Sequence, residues 1–174
     1  RALPRSLEGT DVVVLGGDLW RVDVDAMGLK AFVRGGGGLV LVPGADGPRA
    51  LWDDARDLSP VARGFAAAGA PRPAGEVAVY RFGPLFQGAR QLIGDGALPG
   101  RQGGEPGRAR EGAEVQLLDP RGAPVVACWS VGAGRVVYVG ADDLWRWGRV
   151  LGEEAHAALW LEVVGWAAGA GGQR

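Results

Sequence analysis

Short apolar runs closed by glycine recur along this chain. "DVVVLGG" (Asp11–Gly17) is rich in β-branched residues and shows no polar alternation, which predicts a strand buried on both faces. In the following "DVDAMGLKAFVR", Ala26, Leu29, Phe32 and Val33 fall at helical spacing, with Asp23 or Asp25 as the cap. "GGGGLVLVPG" (Gly35–Gly44) reads as a helix stop and a second buried strand. Strand, helix and strand make a βαβ unit, whose crossover is expected to be right-handed.

Pro48 opens "PRALWDDARDL" in a position suited to a first helical turn, so a short helix is expected there. From Ser59 to Gly75 the chain is rich in Ala, Gly and Pro and poorly periodic. Glu76–Phe82 ("EVAVYRF") alternates as a strand does. Residues 94–112 carry the Gly and Pro content of a flexible surface loop. "AEVQLLD", "APVVACWSV" and "RVVYVG" are three further strands, and Gly132-Ala133-Gly134 makes the last two a β-hairpin. "EEAHAALWLEVVGWAA" is a helix with acids in its first turn, where the dipole favours them. Its apolar residues cover most of the circumference, which predicts a largely buried helix. The elements sum to an α/β fold: an open three-layer sheet, parallel in its first half, with an antiparallel hairpin near the C-terminus.

Composition narrows the functional classes. A chain of 174 residues suits one domain and buries a core without a disulfide or metal staple. A net charge of −1 gives no electrostatic case for a nucleic-acid partner. Lys30 is the only lysine, a bias expected of a GC-rich genome, so the many Arg and Gly are read as codon usage rather than recognition chemistry. One cysteine excludes an internal disulfide and a Cys-based zinc site, and one histidine excludes a His-rich metal site. No metal and no cofactor are therefore assigned. No run approaches the ~18 apolar residues of a membrane span, so no direct membrane insertion by this segment is expected. The chain opens on Arg1 without a signal peptide, which reads as a domain cut from a longer protein.

Cys128 and His156 invite a nucleophile–base pairing. However, Cys128 lies mid-strand, whereas reactive thiols favour helix N-termini and loop elbows, so a small core residue is the expected role. His156 falls in the first turn of the last helix and reads as a partly exposed capping-region residue. Gly35–Gly38 lie between helix and strand, the reverse of the order a phosphate cradle needs. "VPGADGP" (Val42–Pro48) follows a strand and precedes a helix, the position of a ligand loop at the carboxyl edge of a sheet, with Gly44 and Asp46 as its candidates.

"GADDLWRWG" (Gly140–Gly148) carries the densest candidate chemistry: Asp142, Asp143, Trp145 and Arg146. On an extended segment the two carboxylates point to opposite sides and do not act as a pair. A hard-metal site would need further oxygen ligands, for which Asp18, Asp46 and Asp53 are the candidates. Packing is the favoured reading: one Asp caps the next turn or pairs with Arg146, Trp and Arg stack, and at least one of Trp145 and Trp147 is substantially buried. The segment would then lock the last helix onto the sheet. The competing reading is a binding site that also uses Gly44 and Asp46.

The stretches "LPRSLEGTDVVVLGGD", "LKAFVRGGGGLVLVPG", "REGAEVQLLD", "GAGRVVYVGADDLWRWG" and "ALWLEVVGWAA", in that order, resemble the class I glutamine amidotransferase-like domain of large bacterial membrane-anchored proteins. Such proteins carry an aerotolerance-type N-terminal hairpin and a von Willebrand factor A domain. The most specific motif is "GxGRVxYVGxDDxWRWR"; its final Arg is Gly148 here, with Arg149 one place later. The resemblance spans residues 3–168, leaves 169–174 as a tail, and implies that a first strand and helix of the family domain are missing before Leu3. It implies a flavodoxin-like fold. Amidotransferases place a Cys in a G-x-C-x-G elbow and a His-x-Glu late in the chain. Here the elbow "VPGADG" has no Cys, Ser or Thr, and "RVVYVG" runs into Ala141, Asp142 and Asp143. No catalytic residue is carried over. The expectation is a non-catalytic amidotransferase-like binding or scaffolding domain whose partners are other domains of the parent or another protein. The parent would be attached to the cytoplasmic membrane and the domain would lie outside the cytoplasm. The alternatives are a small-molecule or carbohydrate pocket at the strand C-terminal ends, or a hydrolase of unknown type using Asp142 and Asp143.

Overall fold

A computed structural model describes residues 6–17, 28–43, 57–63, 77–94, 98–99, 107–141 and 144–169. Its frame is a six-stranded mixed sheet. In chain order the strands of that sheet are β1 (Val12–Gly17), β2 (Gly38–Pro43), β5 (Arg81–Phe82), β8 (Glu114–Leu118), β9 (Pro124–Val131) and β10 (Gly134–Val139). In space they run β1-β2-β10-β9-β8-β5. β1, β2 and β10 are mutually parallel; β10, β9, β8 and β5 pair antiparallel. The βαβ unit and the closing hairpin therefore form as their patterns predict. The parallel segment gains its third strand from the C-terminal part of the chain.

The continuous apolar runs are explained by the two faces they serve. Val40, Val137 and Cys128 are register neighbours on one face of β2, β10 and β9. Leu41, Tyr138 and Ala127 form the adjoining row on the other face. The first row belongs to a core built with α2 (Gln87–Ile93), α3 (Trp145–Leu151) and α4 (Glu153–Ala167). The second row belongs to a core built with α1 (Leu29–Arg34) and residues Leu58 and Val61. β2 and β10, with helices on both faces, have no polar face to alternate with, hence "LVLV" and "VVYV", whereas β1, also expected to be buried on both faces, lies at the margin of the sheet with Val14 52% exposed. Burying each such Val or Leu side chain contributes roughly 1.5–3 kcal/mol.

Gly134 has a steric reason. A Cβ on it would collide with the main-chain carbonyls of Val33 and Gly37. The β9–β10 hairpin can therefore sit tightly against the end of α1 only if this residue has no side chain.

Three expectations need correction. "EVAVYRF" is not one strand: β4 (Val77–Ala78) pairs with β6 (Leu98–Pro99), and β5 pairs with β8. The two pairings are parted at Val79 and Tyr80, which belong to neither strand; Val79 is exposed and Tyr80 buried. Residues 94–112 are not wholly loop, since they supply β6 and also β7 (Gly107–Ala109), which pairs with β3 (Val61–Arg63). Helix α4 is not buried all round. Ala155, Leu159, Val163 and Ala167 form a buried stripe at four-residue spacing, while Leu161 is exposed, because the helix covers one face of an open sheet. The helix expected from Pro48 and the caps expected at Asp23 or Asp25 lie outside the described residues.

Helix α2 was not apparent from periodicity, and its start depends on a distant residue. It has no local side-chain cap. Instead Glu162 on α4 accepts hydrogen bonds from the amide N–H groups of Gly88 (2.7 Å) and Ala89 (3.3 Å). A carboxylate at a helix N-terminus satisfies orphan donors and meets the positive end of the dipole. Glu162→Ala is expected to cost about 1 kcal/mol. For a domain of this size that lowers Tm by roughly 2–4 °C, measurable by calorimetry.

Candidate functional site

The three parallel strands end at one edge of the sheet. Gly16 and Gly17 lie opposite Val42 and Pro43, and Leu41 lies opposite Tyr138. Beyond β2, the described chain resumes on the α1 side, where Leu58 and Val61 join the core. Beyond β10 it turns to the other side, where Leu144 and Trp147 join the opposite core. Neighbouring parallel strands whose continuations leave for opposite faces define a topological switch point, where α/β folds open a crevice. Of the candidates for this edge, Gly44, Asp46, Asp142 and Asp143 lie outside the described residues. Among the described residues no group of three His, Cys, Asp or Glu gathers to hold a metal ion.

Trp145, Arg146 and Trp147 can be placed, and they separate. Trp145 is 53% exposed, Arg146 is half-buried, and Trp147 is 3% exposed. The expectation that at least one tryptophan is buried is met by Trp147. Its indole Nε1–H donates to the Pro99 carbonyl at 3.0 Å. The Tyr80 hydroxyl donates to the same oxygen at 3.3 Å, and the two rings meet edge-on with centroids 4.9 Å apart. One carbonyl thus receives two aromatic donors, and both rings bury their apolar bodies. The arginine that stacks on Trp145 is Arg149, with its guanidinium carbon 4.9 Å from the ring centroid. One helical turn brings residue 149 over residue 145, whereas adjacent residues point about 100° apart.

The contacts of Trp147 fasten α3, not the last helix, and they reach β6 and Tyr80, partners that the sequence did not reveal. Trp147 clamps α3 to the β6 strand and to Tyr80. Gly148 brings α3 close to α4, since a Cβ there would lie 3.3 Å from the His156 ring. A side chain at this position would require the His156 ring to give by a few tenths of an ångström. Tyr80, Pro99 and Glu162 were missed because a main-chain acceptor and a long-range cap leave no local signal.

Cys128 and His156 are both accounted for without chemistry. Cys128 is 1% exposed in the middle of β9. Burial, assisted by the Glu114 carboxylate, pushes its thiol up to about 12. An apolar thiol of this kind is inert. His156 Nε2 accepts a hydrogen bond from Trp160 Nε1–H at 3.1 Å, and the rings lie edge-on. That lone pair is engaged by an indole within the same helix.

No family model matches the chain, and no curated protein matches it. Solved structures do. A cytoplasmic protein from Salmonella typhimurium is 18% identical with a TM-score of 0.70, and a second, from strain LT2, is 18% identical with a TM-score of 0.71. Each match covers 95% of this chain and 76% of the other. An exo-β-1,4-mannosidase from Opitutaceae bacterium strain TAV5 is 20% identical over 94% of this chain, with a TM-score of 0.57, but that span is 27% of the mannosidase. A β-galactosidase from the haloarchaeon Halorubrum lacusprofundi gives 20% and 0.56 over 23% of its length. These similarities are of fold: the arrangement occurs both as most of a chain and as a fraction of a larger one. The expectation of membrane attachment with the domain outside the cytoplasm is corrected here. The two structures matched over 95% of this chain are described as cytoplasmic proteins, and no described helix is long and apolar enough to cross a membrane.

Two measurements test the site. Trp147→Ala removes a buried ring and one donor to Pro99, and should destabilise the protein by about 3–5 kcal/mol in denaturant unfolding. Trp145→Ala, at an exposed position, should change stability by no more than about 0.5 kcal/mol. Native Cys128 should resist a thiol reagent at pH 8 and label only as the protein unfolds. Its folded pKa lies above the ordinary 9.0. Its contribution to stability is therefore fully present below pH 9 and is lost as pH rises from 9 toward 12. The stability difference between the native chain and Cys128→Ala should shrink over that range.

Proposed function

We propose that this chain is a non-catalytic, amidotransferase-like domain that binds or scaffolds, with partners among other domains of its parent or other proteins. The observation that carries the reading is the state of its one thiol and one imidazole. Cys128 is buried mid-strand and protonated far above neutral pH, and His156 is held by Trp160. Acyl transfer by covalent catalysis needs an accessible nucleophile and a base within reach of it. Neither of these residues is free to play its part. A flavodoxin-like arrangement forms part of the proposal. The parallel β1-β2-β10 segment and the helices on both faces support it; the antiparallel β9, β8 and β5 are additions to it.

A second reading is supported by the switch point between β2 and β10. In it the domain binds a small molecule or carbohydrate beside the carboxyl ends of these strands, with exposed Trp145 as a candidate ring. It is compatible with the first, since neither requires turnover.

The test is ammonia release from glutamine by the purified chain. The expected result is no turnover above the uncatalysed rate, with Cys128→Ala identical to the native protein. Turnover that Cys128→Ala abolishes would overturn the proposal. Saturable calorimetric binding of oligosaccharides, weakened by Trp145→Ala, would select the second reading.

A further inference from the structure

Helices α3 and α4 follow one another directly, and one residue joins them. Gly152 holds a φ of +89°, a backbone conformation that favours glycine. Beside this joint the ring of His156, near the start of α4, lies against Gly148 of α3. The same ring accepts, at Nε2, the indole N–H of Trp160 one helical turn further along, at 3.1 Å. Trp160 in turn packs against the core beneath α4. One imidazole thus links α3, the start of α4 and the core, and its link to the core is a single hydrogen bond.

That bond exists in only one charge state of the ring. Nε2 accepts only when the imidazole is neutral and carries its proton on Nδ1. The imidazolium has a hydrogen on both nitrogens, so its Nε2–H and the indole N–H would meet as two donors. His156 is half-buried, within reach of protons from solvent. Charged groups stand on several elements packed against α4. Arg146 and Arg149 are on α3, with Arg149 stacked on Trp145; Arg90 is on α2; Arg135 of β10 stacks on Trp166. On α4 itself Glu153 and Glu154 precede His156, and Glu162 caps α2. β2 and residues 84–86, also packed on α4, carry no charge. These charges bear on how readily a proton arrives; the hydrogen bond decides what its arrival does.

We propose that His156 is a proton-sensitive latch on the Gly152 joint. A proton taken up from solvent at Nε2 breaks the bond to Trp160, and no covalent bond changes. The indole is held by the core, so the imidazole is the partner that turns away, and in turning it withdraws from Gly148. α3 then loosens against α4 about Gly152, while Trp147 keeps it attached to the Pro99 carbonyl. Exposed Trp145 lies on the helix that moves. Acidification therefore changes the setting of α3 without unfolding the sheet beneath it.

Nuclear magnetic resonance of the whole chain labelled with nitrogen-15 tests the latch. Trp160→Phe identifies the Trp160 indole N–H signal by its loss. Between about pH 8 and about pH 5, the range in which imidazole ordinarily changes charge, that signal should move upfield as its hydrogen bond is lost. The Gly148 amide signal should move in the same step. His156→Gln keeps an acceptor on the side chain but takes up no proton, and in this variant both signals should hold still over the range. A Trp160 signal that stays fixed in the native chain, a step that persists in His156→Gln, or a Trp160 step that Gly148 does not share would each overturn the proposal. Loss of the fold within this range that His156→Gln does not prevent would overturn it equally.

Discussion

The pairing of β2 with β10 holds the molecule together. It joins Gly38–Leu41 in register with Arg135–Tyr138, from opposite ends of the described chain. Each face of the joined strands seeds a core: Val40 and Val137 lie beneath α4, and Leu39, Leu41, Val136 and Tyr138 lie over α1. Closing so long a loop is entropically costly, and is offset only when both faces are covered at once. The two helical layers and this one strand pair therefore depend on each other.

The same constraint positions the candidate site. α1 lies on one face and α3 and α4 on the other, so the described chain after β2 and the described chain after β10 join opposite cores. Gly140 and Ala141 carry the chain away from β10. Buried Leu144 and Trp147 then fix where it goes, and the Pro99 carbonyl, with donors from Trp147 and Tyr80, anchors α3 to the short β4–β6 pair. Trp145 is left at the surface. The two tryptophans that stand together in the sequence are divided by helical geometry, Trp147 onto an anchoring face and Trp145 onto an outward one.

The nucleophile and base candidates are both drawn into packing. Cys128 belongs to a row that is covered by α4. His156 stands where α3 passes over α4 at Gly148, and its ring completes that contact with Trp160.

The sequence by itself determined the local elements whose patterns match their periods. "LVLV" and "VVYV" are strands covered on both sides, "VVVL" is a strand that is not, and the Gly132–Gly134 turn closes a hairpin. It also placed Cys128 in the core and one tryptophan of "GADDLWRWG" out of solvent. Its limits were set by distance along the chain. Nothing near residue 87 announces the cap at Glu162, nothing near residue 99 marks that carbonyl as the acceptor for Tyr80 and Trp147, and nothing in "EVAVYRF" shows that its halves join different sheets. The all-apolar wheel of α4 did not reveal which stripe would meet the sheet. Pattern reports how a residue sits relative to its own element. Which element covers it is decided only when segments far apart in the chain pack together.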